Sequence, residues 1–179
     1  MITLTLYIYT NNIDLHCVSA FETIKLMKPD SGIDSLERYR QFKLNFDVNT
    51  LSEAQSELST LISSSYDLLN PNKESYYIDT IPSIKDNYSH VIEVASKHSS
   101  DDHQLYQRIK TKYPKSPLQN LTQSVIWHFL CQHSLSQDNI ESLHADIIVT
   151  ASRTQGLLVN PLFESVRICQ LQSAPSLSS

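Results

Sequence analysis

The residues best suited to chemistry lie in the segment 127–133, which reads WHFLCQH. This segment offers the imidazoles of His128 and His133 and the thiol of Cys131. A zinc ion would need these ligands to converge on one point. On a strand, however, Cys131 and His133 would face one way and His128 the other. The pattern therefore favours packing in a core or an interface over a metal site.

The remaining reactive side chains suggest no ligand set. The cysteines are odd in number and form no C-x-x-C pair, which favours reduced thiols over a disulfide framework. They are Cys17, Cys131 and Cys169. Four histidines are expected to be solvated in loops or on helix faces, namely His16, His98, His103 and His144. From the sequence we assign no catalytic residue and no metal ligand.

Motifs that hold phosphate or activate a nucleophile are missing from the sequence. Two glycines, Gly32 and Gly156, are too few for GxGxxG or GxxxxGK[ST], whose glycines let backbone N–H groups approach phosphate. No GxSxG elbow is present. No nucleophile, base and orienting residue can be placed on one face. The sequence therefore disfavours a stand-alone enzyme and predicts no cofactor bound by this chain alone.

Two basic residues and two Asn-Pro pairs are the candidates for a partner interface. Arg38 and Arg40 occupy alternate positions of a predicted strand and could meet acidic groups of a partner. A solvated face with arginine stems lying along the sheet is the open alternative. The pairs Asn70-Pro71 and Asn160-Pro161 are first interpreted as helix stops, because proline cannot continue a helix. Docking at these corners is their second interpretation.

Bulk properties exclude several classes of partner. The chain has 179 residues, of which 40% are hydrophobic, enough to build a core. Its formal net charge is −5, with no basic stripe to meet a phosphate backbone, so nucleic-acid binding is disfavoured. We find no apolar run long enough to cross a membrane and no basic region before the first apolar residues. A cytoplasmic protein is expected.

An internal repeat organises the chain. Residues 68–78 (LLNPNKESYYI) return as 158–168 (LVNPLFESVRI) at an offset of 90 positions. The same offset places Ile2 over Ile92 and Leu4 over Val94 without a gap. Such self-similarity indicates a duplicated module. The predicted organisation is repeat 1 at 1–82, a linker at 83–87, a divergent repeat 2 at 88–174 and a tail at 175–179.

The first repeat is predicted to be β-α-β-α-β. Its opening strand alternates apolar residues with Thr and Tyr. A helix with an apolar stripe follows, stopped by Pro29 and Gly32. After a second strand, Thr50 and Glu53 fit a capping box at the start of a helix that Asn70-Pro71 ends. The second repeat is expected to have strands at 90–95, 124–132 and 166–171, with helices at about 101–112 and 137–155.

The unit resembles the PurS family, the small subunit of phosphoribosylformylglycinamidine synthase. Family members are single β-α-β-α-β chains with a "VR-x-GK" second strand and a closing "LLANP-x-x-E-x-Y" element. Here LERYR at 36–40 stands at the second-strand motif, with Arg40 at the lysine position. The other matching residues are LYIY at 6–9, DLHCVSA at 14–20, LLNP at 68–71 and ESYYI at 74–78. Repeat 2 keeps the closing element but not the basic residues.

This resemblance implies a fold and a function. The fold class would be α+β, with two ferredoxin-like, PurS-like repeats packed as a pseudo-dimer fused in tandem. The chain would be a non-catalytic accessory subunit in purine biosynthesis, bridging a PurQ-like glutaminase and a large PurL-like synthetase. ATP, Mg and glutamine would be used by that ligase complex rather than bound by this chain. Self-association of the chain is left open.

A tandem ACT-type sensor of amino acids is the alternative function, since such modules are also ferredoxin-like and occur in pairs. These sensors usually bind their ligand at a glycine-containing loop after the first strand, where the backbone comes close to the ligand. The corresponding residues 11–14 contain no glycine. The sequence therefore ranks the sensor second.

Overall fold

The chain folds as an α+β protein with a six-stranded sheet in the order β3-β1-β2-β5-β4-β6. The computed structural model describes residues 1–81, 89–98, 100–131, 137–150 and 156–169, without the side chains of 137–139 and 144. Its elements are β1 (Ile2–Thr10), α1 (Leu15–Met27), β2 (Ile33–Phe46), α2 (Leu51–Ser64), β3 (Glu74–Ile78), β4 (Ser89–Ser96), α3 (Ser100–Lys112), β5 (Leu118–Cys131), α4 (Gln137–Leu143) and β6 (Glu164–Cys169). A π-helical turn at His144–Ile148 follows α4. The predicted fold class, α+β, is confirmed.

Each half of the chain has the element order β-α-β-α-β, yet residue contacts divide the chain differently. Unit 1 comprises Met1–Asn12, Arg40–Ile81 and His98–Ser124, and unit 2 comprises Ile13–Tyr39, Pro82–Lys97 and Val125–Ser179. Helix α1 of the first half therefore belongs to unit 2, and α3 of the second half belongs to unit 1. Strands β2 and β5 have 14 residues each, about 46 Å of extended chain, so each contributes to both units.

Unit 1 has its own hydrophobic core. Helix α2 begins at the capping box that the sequence predicted, since Thr50 accepts from the Glu53 backbone N–H and Glu53 accepts from the Thr50 N–H. Its buried stripe packs with α3 against the inner faces of β1 and β2. The central buried residues are Leu4, Leu6, Phe42, Leu44, Phe46, Leu58, Leu61, Leu105 and Ile109.

Unit 2 is built in the same manner around α1. Asp14 caps this helix, because its carboxylate accepts from the backbone N–H groups of His16 and Cys17. The inward stripe of α1 packs against β4, β5 and the start of β2. Its central residues are Cys17, Ala20, Ile24, Ile33, Leu36, Ile92, Val94, Trp127 and Phe129.

Three predicted element boundaries are wrong. Helix α2 ends at Ser64, well before Asn70-Pro71, so this Asn-Pro pair is not a helix stop. Strand β5 starts at Leu118 rather than at 124, because its first half pairs within unit 1. The helix expected at 137–155 ends as an α-helix at Leu143, and Val149 bridges Val159, which requires extended backbone. Residues 151–155, the predicted linker at 83–87 and the predicted tail lie outside the described residues.

The gapless alignment of the two repeats is also wrong. Ile78 and Ile168 stand 90 positions apart, but their strand partners Leu6 and Ile92 stand only 86 apart. Ile92 therefore corresponds to Leu6 and not to Ile2. Strand register decides this, because each pairing exchanges backbone hydrogen bonds that a slip would break. Within the described residues, no helix is both long and apolar enough to cross a membrane.

Candidate functional site

The Asn70-Pro71 corner is a closed turn leading into β3. The Asn70 backbone N–H donates to Glu74 Oε2 at 2.7 Å, and Asn70 Oδ1 accepts from the Asn72 N–H at 3.1 Å. The Glu74 N–H donates to the Asn70 carbonyl at 2.9 Å. The end of β1 closes the turn, because the Asn11 N–H donates to the Lys73 carbonyl at 2.8 Å. Asn70 and Glu74 thus each have a local structural role, and Pro71 is exposed.

The Asn160-Pro161 corner repeats this arrangement bond for bond. The Asn160 N–H donates to Glu164 Oε2 at 2.8 Å, and Asn160 Oδ1 accepts from the Leu162 N–H at 3.1 Å. The Glu164 N–H donates to the Asn160 carbonyl at 2.8 Å. The end of β4 closes this turn through the Lys97 N–H and the Phe163 carbonyl, also 2.8 Å apart. The sequence match therefore corresponds to a match in three-dimensional structure.

Arg40 connects β2 to the first corner. Its Nη2 donates to Glu74 Oε1 at 2.7 Å and to the Leu68 carbonyl at 3.3 Å. Its guanidinium also lies 5.7 Å from the centroid of the Phe42 ring. In the β4–β5 ladder, the position corresponding to Arg40 is Val125, which is paired with Val94. The two corners therefore share their backbone geometry but differ at the position of Arg40.

Arg38 belongs to unit 2 and has different neighbours. Its Nη1 donates to Asp14 Oδ2 at 3.2 Å, and its guanidinium lies 5.7 Å from the centroid of the Trp127 ring. The side chain is 26% exposed. Arg38 and Arg40 thus point to the sheet face that the helices cover in each unit, and each already has a carboxylate partner. Their contact with another protein stays a prediction, as does a docking role for the Asn-Pro corners.

A groove of about 580 Å³ opens beside Arg38 in unit 2. Its volume lies in the range of small-molecule sites, and its lining combines apolar with polar side chains. Its cation is the Arg38 guanidinium, and its apolar surface comes from α1, β5 and the segment before the second corner. The lining residues are Leu15, His16, Ser19, Ala20, Arg38, Trp127, Leu157 and Leu158.

A serine, a histidine and a carboxylate form a hydrogen-bonded chain on the opposite face of the sheet. His128 Nε2 lies 2.9 Å from Ser89 Oγ, and its Nδ1 lies 3.0 Å from Glu37 Oε2. The Tyr39 hydroxyl donates to the same Glu37 oxygen at 2.8 Å. The expectation that no nucleophile, base and orienting residue share a face is therefore wrong. Ser89 and Glu37 lie 39 and 91 positions from His128, so no local motif could have predicted the set.

The Ser89, His128 and Glu37 network has a structural role. His128 is completely buried, and a buried imidazole needs partners for both ring nitrogens. Ser89 is the first residue of β4. It does not occupy the strand-to-helix turn that aims a nucleophilic serine in α/β-hydrolases. The network therefore satisfies the hydrogen-bonding groups of a buried histidine.

The thiols and the other histidines are in dissimilar environments. Burial, reinforced by the nearby Asp14 carboxylate, raises the pKa of Cys17 to about 11, and its Sγ donates to the Leu36 carbonyl at 2.8 Å. Burial also raises the pKa of Cys131. Cys169 is half-buried, and His16, His98 and His103 are exposed. No three potential metal ligands cluster within the described ranges, and His133 and the His144 side chain lie outside them.

No protein-family model and no curated protein sequence matches this chain. The resemblance to the PurS family therefore stays a prediction from the motif residues given above.

Proposed function

We propose that this chain is a non-catalytic accessory subunit of phosphoribosylformylglycinamidine synthase, formed by two PurS-like repeats fused as a pseudo-dimer. In this proposal it bridges a glutaminase and a large synthetase in purine biosynthesis. The complex uses glutamine, ATP and Mg, while the accessory chain contributes surfaces. It works in the cytoplasm, where its free cysteines stay reduced.

The observation that carries this proposal is the repeated Asn-Pro corner. Two segments of one chain make the same four backbone-directed hydrogen bonds, each within 0.1 Å of its counterpart. The first helix and the second strand of each half also match in length, since α1 and α3 have 13 residues each and β2 and β5 have 14 each. A duplicated β-α-β-α-β unit explains both matches.

The composition of the contact units supports a fused pair over two independent modules. Each unit contains a helix from the other half of the chain, α1 in unit 2 and α3 in unit 1. Two separate chains would have to associate before either core was complete. Covalent fusion replaces that association by an effective concentration that is on the order of millimolar for short linkers.

Reconstitution of the complex tests the proposal. The glutaminase and the synthetase encoded in the same genome would be purified and mixed with this chain, glutamine, ATP and Mg. Light scattering coupled to size exclusion should show one complex containing all three proteins. Glutamine-dependent amidine formation should require the chain, whereas synthesis from added ammonia should not. A chain that never co-elutes with either enzyme, or glutaminase or ATPase turnover by the chain alone, would contradict the proposal.

A tandem sensor of the ACT type is the second candidate, and the Arg38 groove favours it. A cation beside apolar side chains suits an amino acid with an apolar side chain, whose carboxylate would pair with Arg38. A thermal-shift screen with the twenty amino acids separates this function from the first. A rise in melting temperature that Arg38→Gln abolishes would support the sensor.

A further inference from the structure

The sheet has two edge strands, β3 and β6, and each begins at one of the matched Asn-Pro corners. Among the described residues, β3 has β1 as its one strand neighbour and β6 has β4. An edge strand exposes a row of backbone N–H and C=O groups that can pair with another extended chain. Proteins usually protect such edges with charged side chains, kinks or short strands. The two edges can be compared position by position, because the residues of β6 follow those of β3 at an offset of 90.

Strand β3 is protected at both ends. The exposed Lys73 precedes it directly. Asp79 follows it with a positive φ of 62°, which turns the chain out of the extended conformation. The Asp79 carboxylate also accepts the Thr5 backbone N–H at 2.8 Å, so a side chain takes the place of a further ladder bond. The register with β1 ends at Ile78.

The corner before β6 has apolar side chains instead. Leu162 and Phe163 occupy the positions of Asn72 and Lys73, and they are 76% and 55% exposed. The first corner makes the same hydrogen bonds with polar side chains at these positions, so the turn itself does not require an apolar pair. The two corners thus differ in what they present to the solvent.

The far end of β6 lacks the kink that follows β3. Cys169 occupies the position of Asp79, but it stays in the strand and pairs with Val91. Strand β6 is therefore one residue longer than β3, and Ile168 at this end is 49% exposed. Within the part of the chain that the structure describes, β6 is an unprotected edge with exposed apolar side chains at both ends.

The backbone groups on the open side of β6 follow from its pairing with β4. The Lys97 N–H donates to the Phe163 carbonyl, so this carbonyl points toward β4. Residues of an antiparallel strand direct their backbone groups alternately to one neighbour and to the other side. Glu164, Val166 and Ile168 therefore direct theirs away from β4. The Glu164 N–H is bonded within the corner, so a further strand can pair with its C=O and with both groups of Val166 and Ile168.

We infer that β6 pairs with β6 of a second copy of this chain, antiparallel, about a twofold axis at Val166. In this register the Val166 N–H of each copy donates to the Val166 C=O of the other. The Ile168 N–H of each copy donates to the Glu164 C=O of the other, and no bond needs the Glu164 N–H. The same axis brings Leu162 and Phe163 of one copy beside the Ile168 end of the other.

The side chains of β6 suit this self-pairing. Val166 faces its own copy, Ser165 faces Arg167, and Glu164 faces Ile168. Neither charged residue thus faces a like charge, which would weaken the pairing. The apolar contacts across the axis occur twice, because a twofold contact uses the same surface on both copies.

The charged groups beside the edge are already bonded within the chain. Arg167 Nη2 donates to Glu93 Oε2, and Glu164 Oε2 accepts a backbone N–H of the corner at 2.8 Å. Lys97 Nζ donates to the Pro161 carbonyl at 2.5 Å. Pairing of the two strands therefore does not require a new partner for any of these charges.

A second copy fits this edge better than a strand of another protein. The partner of β6 must be extended and must carry its open backbone groups in the same alternation, and an identical antiparallel strand does. The apolar corner also needs an apolar neighbour, which the twofold axis supplies as Ile168. Because β3 is protected, the association stops at two chains. This pairing goes beyond the proposed function and does not depend on it.

Two variants of β6 and one matched variant of β3 test the pairing. Leu162→Asn with Phe163→Lys gives the second corner the residues of the first, which makes the same turn. Ile168→Pro removes an N–H that points away from β4, and an edge strand tolerates proline at such a position. Ile78→Pro is the matched control at the corresponding position of β3. Sedimentation equilibrium over a range of concentrations gives the dissociation constant of the dimer.

The wild type should show a monomer–dimer equilibrium. The corner variant and Ile168→Pro should each raise the dissociation constant at least about tenfold, since every contact or hydrogen bond is lost twice. Ile78→Pro should change it by less than about twofold, because β3 makes no bond in the dimer. In the wild type, the amide protons of Val166 and Ile168 should exchange more slowly at high than at low protein concentration.

Circular dichroism and melting curves check that each variant folds, and the exchange measurement needs no substitution. A wild type that stays monomeric up to about 1 mM refutes the inference. A dimer that both folded β6 variants leave unchanged also refutes it, as do Val166 and Ile168 amides whose exchange is independent of concentration. If these amides become protected only after a glutaminase or synthetase is added, that enzyme is the occupant and self-pairing is refuted.

Discussion

Arg40 and Glu74 form an ion pair of 2.7 Å that joins β2 to the Asn70-Pro71 corner of unit 1. The second oxygen of Glu74 holds the Asn70 backbone N–H at 2.7 Å, so one carboxylate connects β2, the corner and β3. Glu164 holds the Asn160 N–H at 2.8 Å in the same way, but Val125 stands where Arg40 stands in unit 1. The chain therefore contains a matched pair of corners, one with an arginine and one without.

Glu74→Ala should destabilise the protein more than Glu164→Ala. Both substitutions remove the acceptor of a backbone N–H, but only the first also removes the partner of Arg40. Because the ion pair is partly exposed, we expect a difference of roughly 0.5–1 kcal/mol in the free energy of unfolding. Urea denaturation of the two variants and the wild type measures it. Equal losses would mean that the Arg40 pair contributes nothing to stability.

Acid should weaken the contact between Asp67 and Lys112. The hydrogen bond from Lys112, followed by that from Ser65, lowers the pKa of Asp67 below its usual 3.8. A lowered pKa in the folded state means that the ionised carboxylate stabilises the fold above about pH 4, and that this contribution is lost as pH falls through the folded value. The difference in unfolding free energy between wild type and Asp67→Asn should therefore be constant near neutral pH and become smaller as the pH falls below about 4.

Chemical denaturation at several pH values between 7 and 2 follows this difference. Lys112→Met is the control, because removal of the ammonium group should bring the pKa of Asp67 closer to its usual value and flatten the profile. If the difference in unfolding free energy between Asp67→Asn and the wild type stays constant down to pH 2, the ionised Asp67 carboxylate does not stabilise the fold.

The three cysteines should differ in their reaction with iodoacetamide. Cys17 and Cys131 are buried and their pKa values are raised, so little thiolate is present near neutral pH. Cys169 is half-buried and should be alkylated first in the native protein. Peptide mass spectrometry after timed labelling at pH 7.5 gives the order, and labelling in urea gives the unfolded reference. Early modification of Cys17 in folded protein would show that α1 detaches readily from unit 2.

His128→Ala should be strongly destabilising, whereas Ser89→Ala should have a small effect. The first substitution leaves a cavity and removes one of the groups that hydrogen-bond to Glu37, at an expected cost of about 2–4 kcal/mol in unfolding free energy. The second removes a single hydroxyl, which we expect to cost about 1 kcal/mol. Thermal and urea unfolding measure both effects.

A fluorophosphonate probe tests the same residues for catalysis. If the network is structural, the probe should not label Ser89 in the native protein. Covalent modification of Ser89 that disappears in a folded His128→Asn variant would assign it a nucleophilic role.

The sequence predicted those features that depend on neighbouring residues. The capping box at Thr50 and Glu53 is confirmed because hydroxyl, carboxylate and backbone N–H groups lie within one turn. The alternation around Leu4 and Leu6 predicted a strand with a buried face, and both residues are fully buried. The sequence marks Asn70-Pro71 as a boundary, but the helix stop that it predicts there is wrong. Proline ends a helix or starts a turn equally well, and the sequence does not show where α2 has already ended.

In the candidate sites, the sequence indicates the residue types, whereas the structure shows which partners they contact. Arg38 and Arg40 could be singled out by residue type, but their partners Asp14 and Glu74 lie 24 and 34 positions away. The Ser89, His128 and Glu37 network joins three strands and has no local signal. The groove joins α1, β2, β5 and the segment before the second corner, so none of these segments predicts it alone.

The sequence by itself determined the matched Asn-Pro segments and the type of most elements, because residue identity, period and capping act over a few positions. Only the tertiary structure decided the register between repeats, since hydrogen-bonded strand pairing set the offset at 86 for the first strand and 90 for the closing corner. The tertiary structure also decided that α1, from the first half of the chain, packs in unit 2 and that α3, from the second half, packs in unit 1. That choice depends on the area that each helix can bury against distant strands, a quantity that no local pattern contains.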